Sequence, residues 1–546
     1  MSVRERLGDA RERLASRGSA GSGDAGKRTP RSVLAISGAI AIVVVFPLVW
    51  LLVTAAKIDP GEAWELATSE ETLTVLRNSL LLMGGVTAGS VLLGVPLAYL
   101  TVRTDLPFRR FWTIVAALPL VIPSYVGAFT VVSAFGPRGR FQDMLEPLGI
   151  EQIPEIYGLP GAILVITLYT YPYVYLTTRA ALLNFDARLV EAARTLNHGK
   201  LSAFWRVTLP QIRPAIAAGA LLAALYAISD FGTPAIMRLP VFTREIYVEF
   251  GQLGQAPEAV LSLQLLAIVA LVLVIERWIS PDSTASEAEA SRDRPVSLGR
   301  WRWAAMAFPA AVAGLALLVP LWILYLWLSS PATARRPSLA FEWSMATNSI
   351  MVAAAAAVVA ALAAIPIGYL SAHHDSRLAE VFERGTYLGF AVPGVVLALS
   401  LVYLGTRLVP AFYQTLPLLI FGFVVRFLPQ AVGSIRSTTL QVDPRLVEAA
   451  RTLGDPPFRA FRRVTLPQIV PGIVAGAALV FLTTMKELPV TLMLKPTEFE
   501  TIATQIWRAQ ASHFYQYAVV PALLLMVISG LSMIVLLASE GGERGL

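Results

Sequence analysis

The chain of 546 residues is 55% hydrophobic and 15% charged, well below the roughly 25% charged residues of soluble domains. Its formal net charge of +7 does not indicate nucleic-acid binding, because the basic residues gather on short segments between apolar runs. The sequence contains no cysteine, which excludes disulfides, thiolate metal sites and iron–sulfur clusters. Many apolar runs exceed the roughly 18 residues that span a bilayer, so the composition predicts an all-α polytopic membrane protein.

Residues 1–32 are polar and rich in Arg, Gly and Ser, and they are predicted to form a basic cytoplasmic tail. Gly21, Gly26 and Lys27 match most of a phosphate-binding P-loop. Arg28 stands where Ser or Thr would bind magnesium, and no predicted strand precedes the segment. The match is therefore interpreted as accidental, and no ATP site is predicted on this chain.

About twelve transmembrane helices are predicted, in two halves of six. The first half covers 33–277 and is followed by a charged, Ser-rich linker at 278–301. The second half covers 302–538, and a short cytoplasmic tail is predicted for 539–546. The predicted spans lie near 33–55, 74–101, 111–134, 159–181, 212–232, 257–277, 303–328, 346–371, 385–405, 415–433, 472–491 and 517–538.

A polar segment between the fourth and fifth predicted spans, 185–214, recurs between the tenth and eleventh as 442–471, with 20 of 30 aligned positions identical. Each copy predicts a short helix that begins after an aspartate N-cap, a sharp turn, and a second short helix that a Leu-Pro pair ends. The turn is expected at Gly454 in the second copy and at Asn197 in the first, since these residue types tolerate a left-handed cap. A water-exposed segment repeated between membrane spans indicates a shared docking surface.

The repeated segment resembles the EAA loop of ABC-importer permeases, the inner-membrane components of binding-protein-dependent uptake systems. That pattern has Glu-Ala-Ala, a glycine four residues after the last alanine, and a downstream Leu-Pro. The second copy fits fully, and the first departs from the pattern at its asparagine. The matching residues are Glu191, Ala192, Ala193 and Asn197 in the first copy and Glu448, Ala449, Ala450 and Gly454 in the second.

The resemblance implies a type I ABC importer permease fold and a transporter subunit that is not an enzyme. It implies a cytoplasmic dimer of a separate ATPase that binds ATP and Mg, an extracytoplasmic substrate-binding protein, and no cofactor bound by this chain. Glu191 and Glu448 are then expected to accept charge-assisted hydrogen bonds from the ATPase. The alternative interpretation is that both are solvated charges on a helix face.

The two halves repeat outside these loops as well, since Asn78-Ser79 recurs as Asn348-Ser349 and Tyr99 recurs as Tyr369. Two sets of six spans in the same order predict parallel halves related by an axis along the membrane normal. The basic N-terminal tail predicts cytoplasmic termini in a prokaryotic inner membrane, and counting spans then places both EAA loops in the cytoplasm.

Ionisable residues within predicted spans mark candidate functional positions, because they are costly in lipid. Asp230 and Glu487 occupy equivalent positions late in the fifth span of each half. They are expected either to line the translocation route or contact the binding protein, or to be interfacial carboxylates paired with a neighbour such as Lys486. Lys486 and Arg426, the latter in the tenth span, are also candidate residues of this route, and Arg426 is expected to form a structural ion pair.

The cargo is inferred by resemblance, because physical reasoning from the residues does not name it. As a fused permease of this length, the chain resembles those for ferric iron, thiamine and some phosphonates. The passages at 118–128, at 230–235 with 242–247, and at 486–496 are most similar to the ferric-iron branch. Thiamine, phosphonate or polyamine transport remains open, as does an ion-coupled secondary transporter. His373-His374-Asp375 is not expected to be a metal site, because adjacent helical residues diverge too far to share one ion.

Overall fold

The structure, a computed structural model, describes residues 31–136, 141, 146, 156–185, 188–195, 199–252, 255–279, 296–329, 339–373 and 376–541. Within these residues the chain is helical, with one isolated bridge between Thr104 and Val296 and no strand. Nine described helices are long and apolar enough to cross a membrane, and two pairs of shorter helices meet the same requirement together. The predicted all-α polytopic class is therefore confirmed.

The helices of the first half are α1 (Arg31–Ala55), α2 (Pro60–Thr68), α3 (Glu70–Arg103), α4 (Arg109–Ala117), α5 (Ser124–Phe135), α6 (Gly158–Leu183), α7 (Arg188–Thr195), α8 (Lys200–Ala203), α9 (Leu209–Ser229), α10 (Gly232–Ile236), α11 (Phe242–Gly251) and α12 (Gln255–Ile279). A 3₁₀ turn, Leu118–Val121, follows α4, and a π turn, Phe204–Thr208, joins α8 to α9.

The helices of the second half are α13 (Arg302–Ala305), α14 (Ala307–Ala313), α15 (Val319–Leu328), α16 (Trp343–His373), α17 (Arg377–Ala391), α18 (Gly394–Arg407), α19 (Leu416–Leu440), α20 (Pro444–Thr452), α21 (Pro457–Ala460), α22 (Leu466–Lys486), α23 (Pro489–Leu494), α24 (Ile502–Ala511) and α25 (Val519–Gly541). π turns at Gly314–Leu318 and Phe461–Thr465 join α14 to α15 and α21 to α22.

The first long helix of each half packs against the opposite half. α1 lies against α17 and α18 and buries Val44 and Leu51 in an apolar core that belongs mainly to the second half. In return, α15 lies against α5, where Trp327 Nε1 donates a hydrogen bond to Ser133 O at 3.3 Å. Each half therefore contributes one of its helices to the packing of the other half.

The third and ninth predicted spans, 111–134 and 385–405, are each formed by two helices that meet at a sharp angle. α4 with its 3₁₀ turn meets α5 at 88°, and α17 meets α18 at 104°. Pro123 and Pro393 directly precede the second helix of each pair, and a proline nitrogen cannot donate the hydrogen bond that would continue the preceding helix. Beside the two breaks, the backbone oxygens of Leu120 and Val392 accept hydrogen bonds from the side chains of Lys486 and Arg426.

The repeat predicted from Asn78-Ser79 and Asn348-Ser349 is expressed as the same contact in both halves. Each serine accepts a hydrogen bond from the backbone N–H that begins an equivalent short helix, α11 or α24. These bonds run from Phe242 N to Ser79 Oγ at 3.2 Å and from Ile502 N to Ser349 Oγ at 2.9 Å. The positions of α11 and α24 are thus fixed by equivalent bonds to α3 and α16.

Candidate functional site

A cavity of about 250 Å³ lies between the two halves. One wall comes from the α4–α5 break, α6 and the end of α9, and the other from α17, α19 and the end of α22. The four residues predicted for a translocation path, Asp230, Arg426, Lys486 and Glu487, all line this cavity. The structure therefore brings them together, although their role in transport remains a prediction.

On the first-half wall, Asp230 is held by hydroxyl groups. α9 ends at Ser229, and the extended backbone of Asp230 turns the chain towards α10, so the predicted span 212–232 ends earlier than expected. Asp230 Oδ2 accepts a hydrogen bond from Ser124 Oγ at 2.9 Å, and the Tyr226 hydroxyl donates to Ser124 Oγ at 3.2 Å. Asp230 forms no ion pair with any described residue.

On the second-half wall, Glu487 is held by an ion pair. α22 ends at Lys486 and Glu487 is extended, so the predicted span 472–491 also ends early. Arg426 Nε donates to Glu487 Oε2 at 3.2 Å, and Arg426 Nη1 donates to Val392 O at 3.0 Å. The side chains of Arg426 and Glu487 are 15% and 9% exposed, so the structural ion pair expected for Arg426 is present and largely buried.

Lys486 does not pair with Glu487, which corrects the expected alternative of a neighbouring ion pair. Its Nζ donates to Leu120 O in the opposite half at 3.4 Å, and it forms no ion pair within the described part of the chain. Glu487 instead pairs with Arg426 of its own half, so the two neighbouring side chains have different partners. Lys486 therefore contributes an ammonium group without a carboxylate partner to the cavity.

An aromatic cluster adjoins the cavity through one of its rings. Phe231, which lines the cavity, packs its ring 4.9 Å from that of Tyr247 and 5.2 Å from that of Trp507. The rings of Tyr247 and Trp507 meet edge to face at 6.0 Å, and they come from the equivalent helices α11 and α24. The cluster is thus built by both halves, and it connects the cavity wall at Phe231 to α11 and α24.

The second EAA copy forms a solvent-facing helix, α20, with none of its residues buried. Asp443 caps it by accepting from Arg445 N at 2.9 Å, Pro444 begins it, and Gly454 follows it with φ +95°. Glu448 and Ala449 are exposed on this helix and Ala450 is half-buried. The predicted helix and left-handed turn are present, and docking through them remains a prediction.

The first EAA copy forms the shorter helix α7, in which Ala193 is buried. Asn197 and the side chains of Glu191 and Ala192 lie outside the described residues. The contact between this helix and the π turn that follows matches the equivalent contact in the second half.

The Leu-Pro pairs do not end a helix, which corrects the prediction for both copies. The chain remains helical through Pro210 and Pro467 into the fifth and eleventh spans. In each copy the residue before the proline donates its N–H five residues back, from Leu209 to Phe204 O and from Leu466 to Phe461 O. This π turn makes room for the proline ring, so each EAA segment is joined rigidly to a span that reaches the cavity.

No described residues form a group of three or more His, Asp or Glu side chains suited to a metal ion. His373 lies at the end of α16, where its ring stacks 4.5 Å from that of Tyr369, while His374 and Asp375 lie outside the described residues. The P-loop-like segment of the N-terminal tail also lies outside them.

The uncharged residues at and beside the cavity were not identified from the sequence. Those that line it are Ser124, Tyr226 and Thr483. Gly394, which directly follows Pro393 as Ser124 follows Pro123, lies against the side chains of Glu487 and Arg426. A Cβ atom on Gly394 would lie 2.6 Å from Glu487 Oε1, so the glycine leaves room for the ion pair. Aligning the halves beyond the EAA loops would have drawn attention to these positions.

The sequence of this chain also matches a known protein family. A family model described as "binding-protein-dependent transport system inner membrane component" matches residues 90–284 and again residues 364–540. Each match contains one EAA segment and one wall of the cavity.

Three curated relatives illustrate the similarity. The Fe(3+)-transport system permease protein FbpB 2 of Haemophilus influenzae is 29% identical over 504 residues, covering 91% of this chain and 96% of the relative. The ferric transport system permease protein FbpB of Actinobacillus pleuropneumoniae is 24% identical, covering 83% of this chain and 69% of the relative. The molybdenum transport system permease protein ModB of Mycobacterium tuberculosis is 31% identical over 42% of this chain and 88% of the relative.

Proposed function

Because the chain belongs to the family of binding-protein-dependent transport system inner membrane components, we propose that it is the fused permease subunit of an ATP-driven importer for ferric iron. The proposal for iron is carried by similarity along almost the whole length of the H. influenzae Fe(3+) permease, whereas the molybdenum permease matches less than half of this chain. The chain is a multi-pass membrane protein and a transport subunit.

The two EAA segments are the proposed attachment points for a separate ATPase dimer. α20 and its C-cap residue support this role, because they expose the apolar side chains of Leu446 and Leu453, 49% and 89% exposed, on the same short segment as the exposed Glu448. Exposed apolar groups next to a charge suit a protein partner better than water. By repeat equivalence, Glu191 makes the corresponding contact in the first copy.

Movement of the ATPase subunits is transmitted to the cavity along one helix in each half. The second-half helix runs from Pro457 to Lys486, a length of 30 residues or about 45 Å at 1.5 Å per residue. It begins beside the EAA turn and ends in the cavity wall, so displacement of one end displaces the other. Closure of the ATPase pair would in this way drive the halves between inward- and outward-open states.

The cavity between the halves is the proposed cargo route, with Asp230, Glu487, Lys486 and Arg426 as its charged lining. The iron reaches it from a substrate-binding protein on the extracytoplasmic side. In this arrangement the N- and C-terminal tails, the linker and both EAA loops are cytoplasmic, and ATP and Mg bind to the partner ATPase.

Uptake of labelled ferric iron, compared with labelled thiamine, in cells with and without the gene tests the cargo. Iron uptake that depends on the gene supports the proposal, and gene-dependent uptake of thiamine alone would reject it.

Glu448→Lys tests the docking surface. The variant is expected to insert normally but to lose uptake and co-purification with the ATPase, because it places a cation where an acceptor is needed. Glu380→Lys is the matched control, since Glu380 is an exposed residue paired with Arg384 and such surface pairs contribute about 0–1 kcal/mol. Normal uptake by Glu448→Lys would contradict docking through α20.

A further inference from the structure

Two opposite charges in the cavity have no counter-ion. Glu487 is neutralised by Arg426, which leaves the Asp230 carboxylate on the first-half wall and the Lys486 ammonium on the second. All residues that line the cavity are described, and neither Asp230 nor Lys486 forms an ion pair with any of them. The cavity therefore presents separated negative and positive groups across the boundary between the halves.

We propose that this permease passes ferric iron together with an oxygen-donor anion, the metal facing Asp230 and the anion facing Lys486. The inference rests on the proposed function in iron import. A bare trivalent cation would be repelled by the unpaired ammonium group of Lys486, and this repulsion is strong where water is scarce. An anion bound to the iron removes the repulsion and supplies the missing partner of the ammonium group.

The remaining polar groups favour the same orientation. The hydroxyl groups of Ser124 and Tyr226 lie on the Asp230 side, and hydroxyl and carboxylate oxygens are hard donors suited to a hard cation. Gln430 lies on the Lys486 side, where its amide accepts from Thr483 Oγ1 at 3.1 Å and keeps N–H groups for an anion. Metal-binding and anion-binding chemistry are thus divided between the two halves.

The cavity volume limits the size of the anion. About 250 Å³ is below the roughly 300–1,000 Å³ of pockets that bury drug-sized ligands. A ferric ion with carbonate, phosphate or citrate is a small complex of the kind that suits this space, whereas a large organic chelate is not.

The test is a double-label transport assay on the complete importer in proteoliposomes with its ATPase and binding protein. Separate samples contain ferric iron labelled with ⁵⁵Fe and one labelled anion, either carbonate, phosphate or citrate. ATP-dependent accumulation of iron and one of these anions in about equal amounts supports the proposal. Accumulation of iron with none of the three overturns it but leaves iron import intact, and failure to import iron from any sample rejects the proposed function instead.

Lys486 variants test the assignment of the anion to one side chain. Lys486→Gln is expected to lower iron and anion uptake about tenfold, the lower end of what a focused charge contributes to local substrate concentration. Lys486→Arg keeps the charge and is expected to retain most uptake, and the exposed Lys57→Gln is the control for loss of one lysine. Stimulation of ATP hydrolysis by the binding protein should persist in Lys486→Gln, which separates loss of cargo binding from loss of assembly. Wild-type iron uptake by Lys486→Gln would overturn the assignment.

Discussion

The two halves solve one structural problem with different chemistry. In each, the break in the third span must be held against the carboxylate that follows the fifth span. The first half uses a hydrogen bond from an uncharged hydroxyl group, that of Ser124, to Asp230, and the second uses Arg426, which bridges Val392 O and Glu487. The repeat has therefore preserved the connection between the elements while the residues that make it have changed.

The contacts at the other ends of α9 and α22, next to the EAA segments, differ much less between the two halves. Tyr99 meets Phe204 edge to face with 5.3 Å between ring centres, and Tyr369 meets Phe461 in the same way at 5.2 Å. Both pairs fix the π turn beside an EAA segment against the preceding long helix. If the proposed function is correct, two identical ATPase subunits would require similar surfaces on the two halves, whereas one cargo between two walls would not, and this would explain the contrast.

The largest expected effect comes from breaking the connection in the second half. Arg426→Gln leaves Glu487 as a buried, unpaired carboxylate, and removal of one partner from such a pair costs about 3–5 kcal/mol. The free energy of unfolding of the purified protein, measured by titrating mixed micelles with SDS, should fall by that amount.

The double variant Arg426→Gln/Glu487→Gln is the control for this prediction. It removes both charges, so most of the lost stability should return. A double variant as unstable as Arg426→Gln would show that the arginine acts through its bond to Val392 O rather than through the ion pair.

Much of this contrast could not be predicted from the sequence. The span positions and the EAA helices follow from hydrophobic runs and capping residues, which are local signals. Breaks within spans are harder to predict from the sequence, because a proline does not always mark one. Pro123 and Pro393 lie at breaks. Other prolines lie inside continuous helices: Pro96, Pro172 and Pro366. A proline changes the local backbone, but tertiary contacts decide whether the helix continues.

The partner of Glu487 in its ion pair could not be predicted from neighbouring residues either. Arg426 and Glu487 are 61 positions apart and lie on different helices, so the sequence suggested the adjacent lysine instead. The carboxylates themselves could be found because a charge within an apolar span is conspicuous in one sequence. The neutral Ser124 and Gly394 give no comparable signal.

Gly394→Ser would give the second half the residue that the first half has at this position. A Cβ atom there would lie 2.6 Å from Glu487 Oε1 and 3.0 Å from Arg426 Cζ, so the ion pair must move. Overpacking of this kind costs about 1–3 kcal/mol, which the same SDS titration should detect. Unchanged stability would mean that the ion pair shifts without cost and that the two connections are more interchangeable than their contacts indicate.

Ser124→Ala removes the hydrogen bond that holds Asp230 in the first half. The expected loss is about 1 kcal/mol, below the roughly 1.5–3 kcal/mol of a hydrogen bond to a charged group, because water in the cavity can replace the hydroxyl group. Ser133→Ala is a control on the same helix, since Ser133 Oγ donates to Thr130 O within that helix and touches no part of the cavity. A loss as large as that of Arg426→Gln would show that the hydrogen bond from Ser124 to Asp230 stabilises the protein as much as the ion pair of Arg426 and Glu487 does.

The smallest effects concern the ends that the halves share, where Tyr99→Leu and Tyr369→Leu each remove one edge-to-face contact. Each should cost about 0.5 kcal/mol, the lower end for such pairs, because leucine retains much of the apolar contact and both tyrosines are half-buried. Tyr369 also stacks on His373, whereas the equivalent position in the first half is Arg103, so the second loss should be slightly greater. Unfolding titrations of both variants give the stabilities, and the coupling of ATP hydrolysis to uptake gives the function. One variant could uncouple ATP hydrolysis from uptake while the other does not. The two EAA segments would then transmit movement unequally, and their similarity would reflect shared ancestry rather than an equal role in transport.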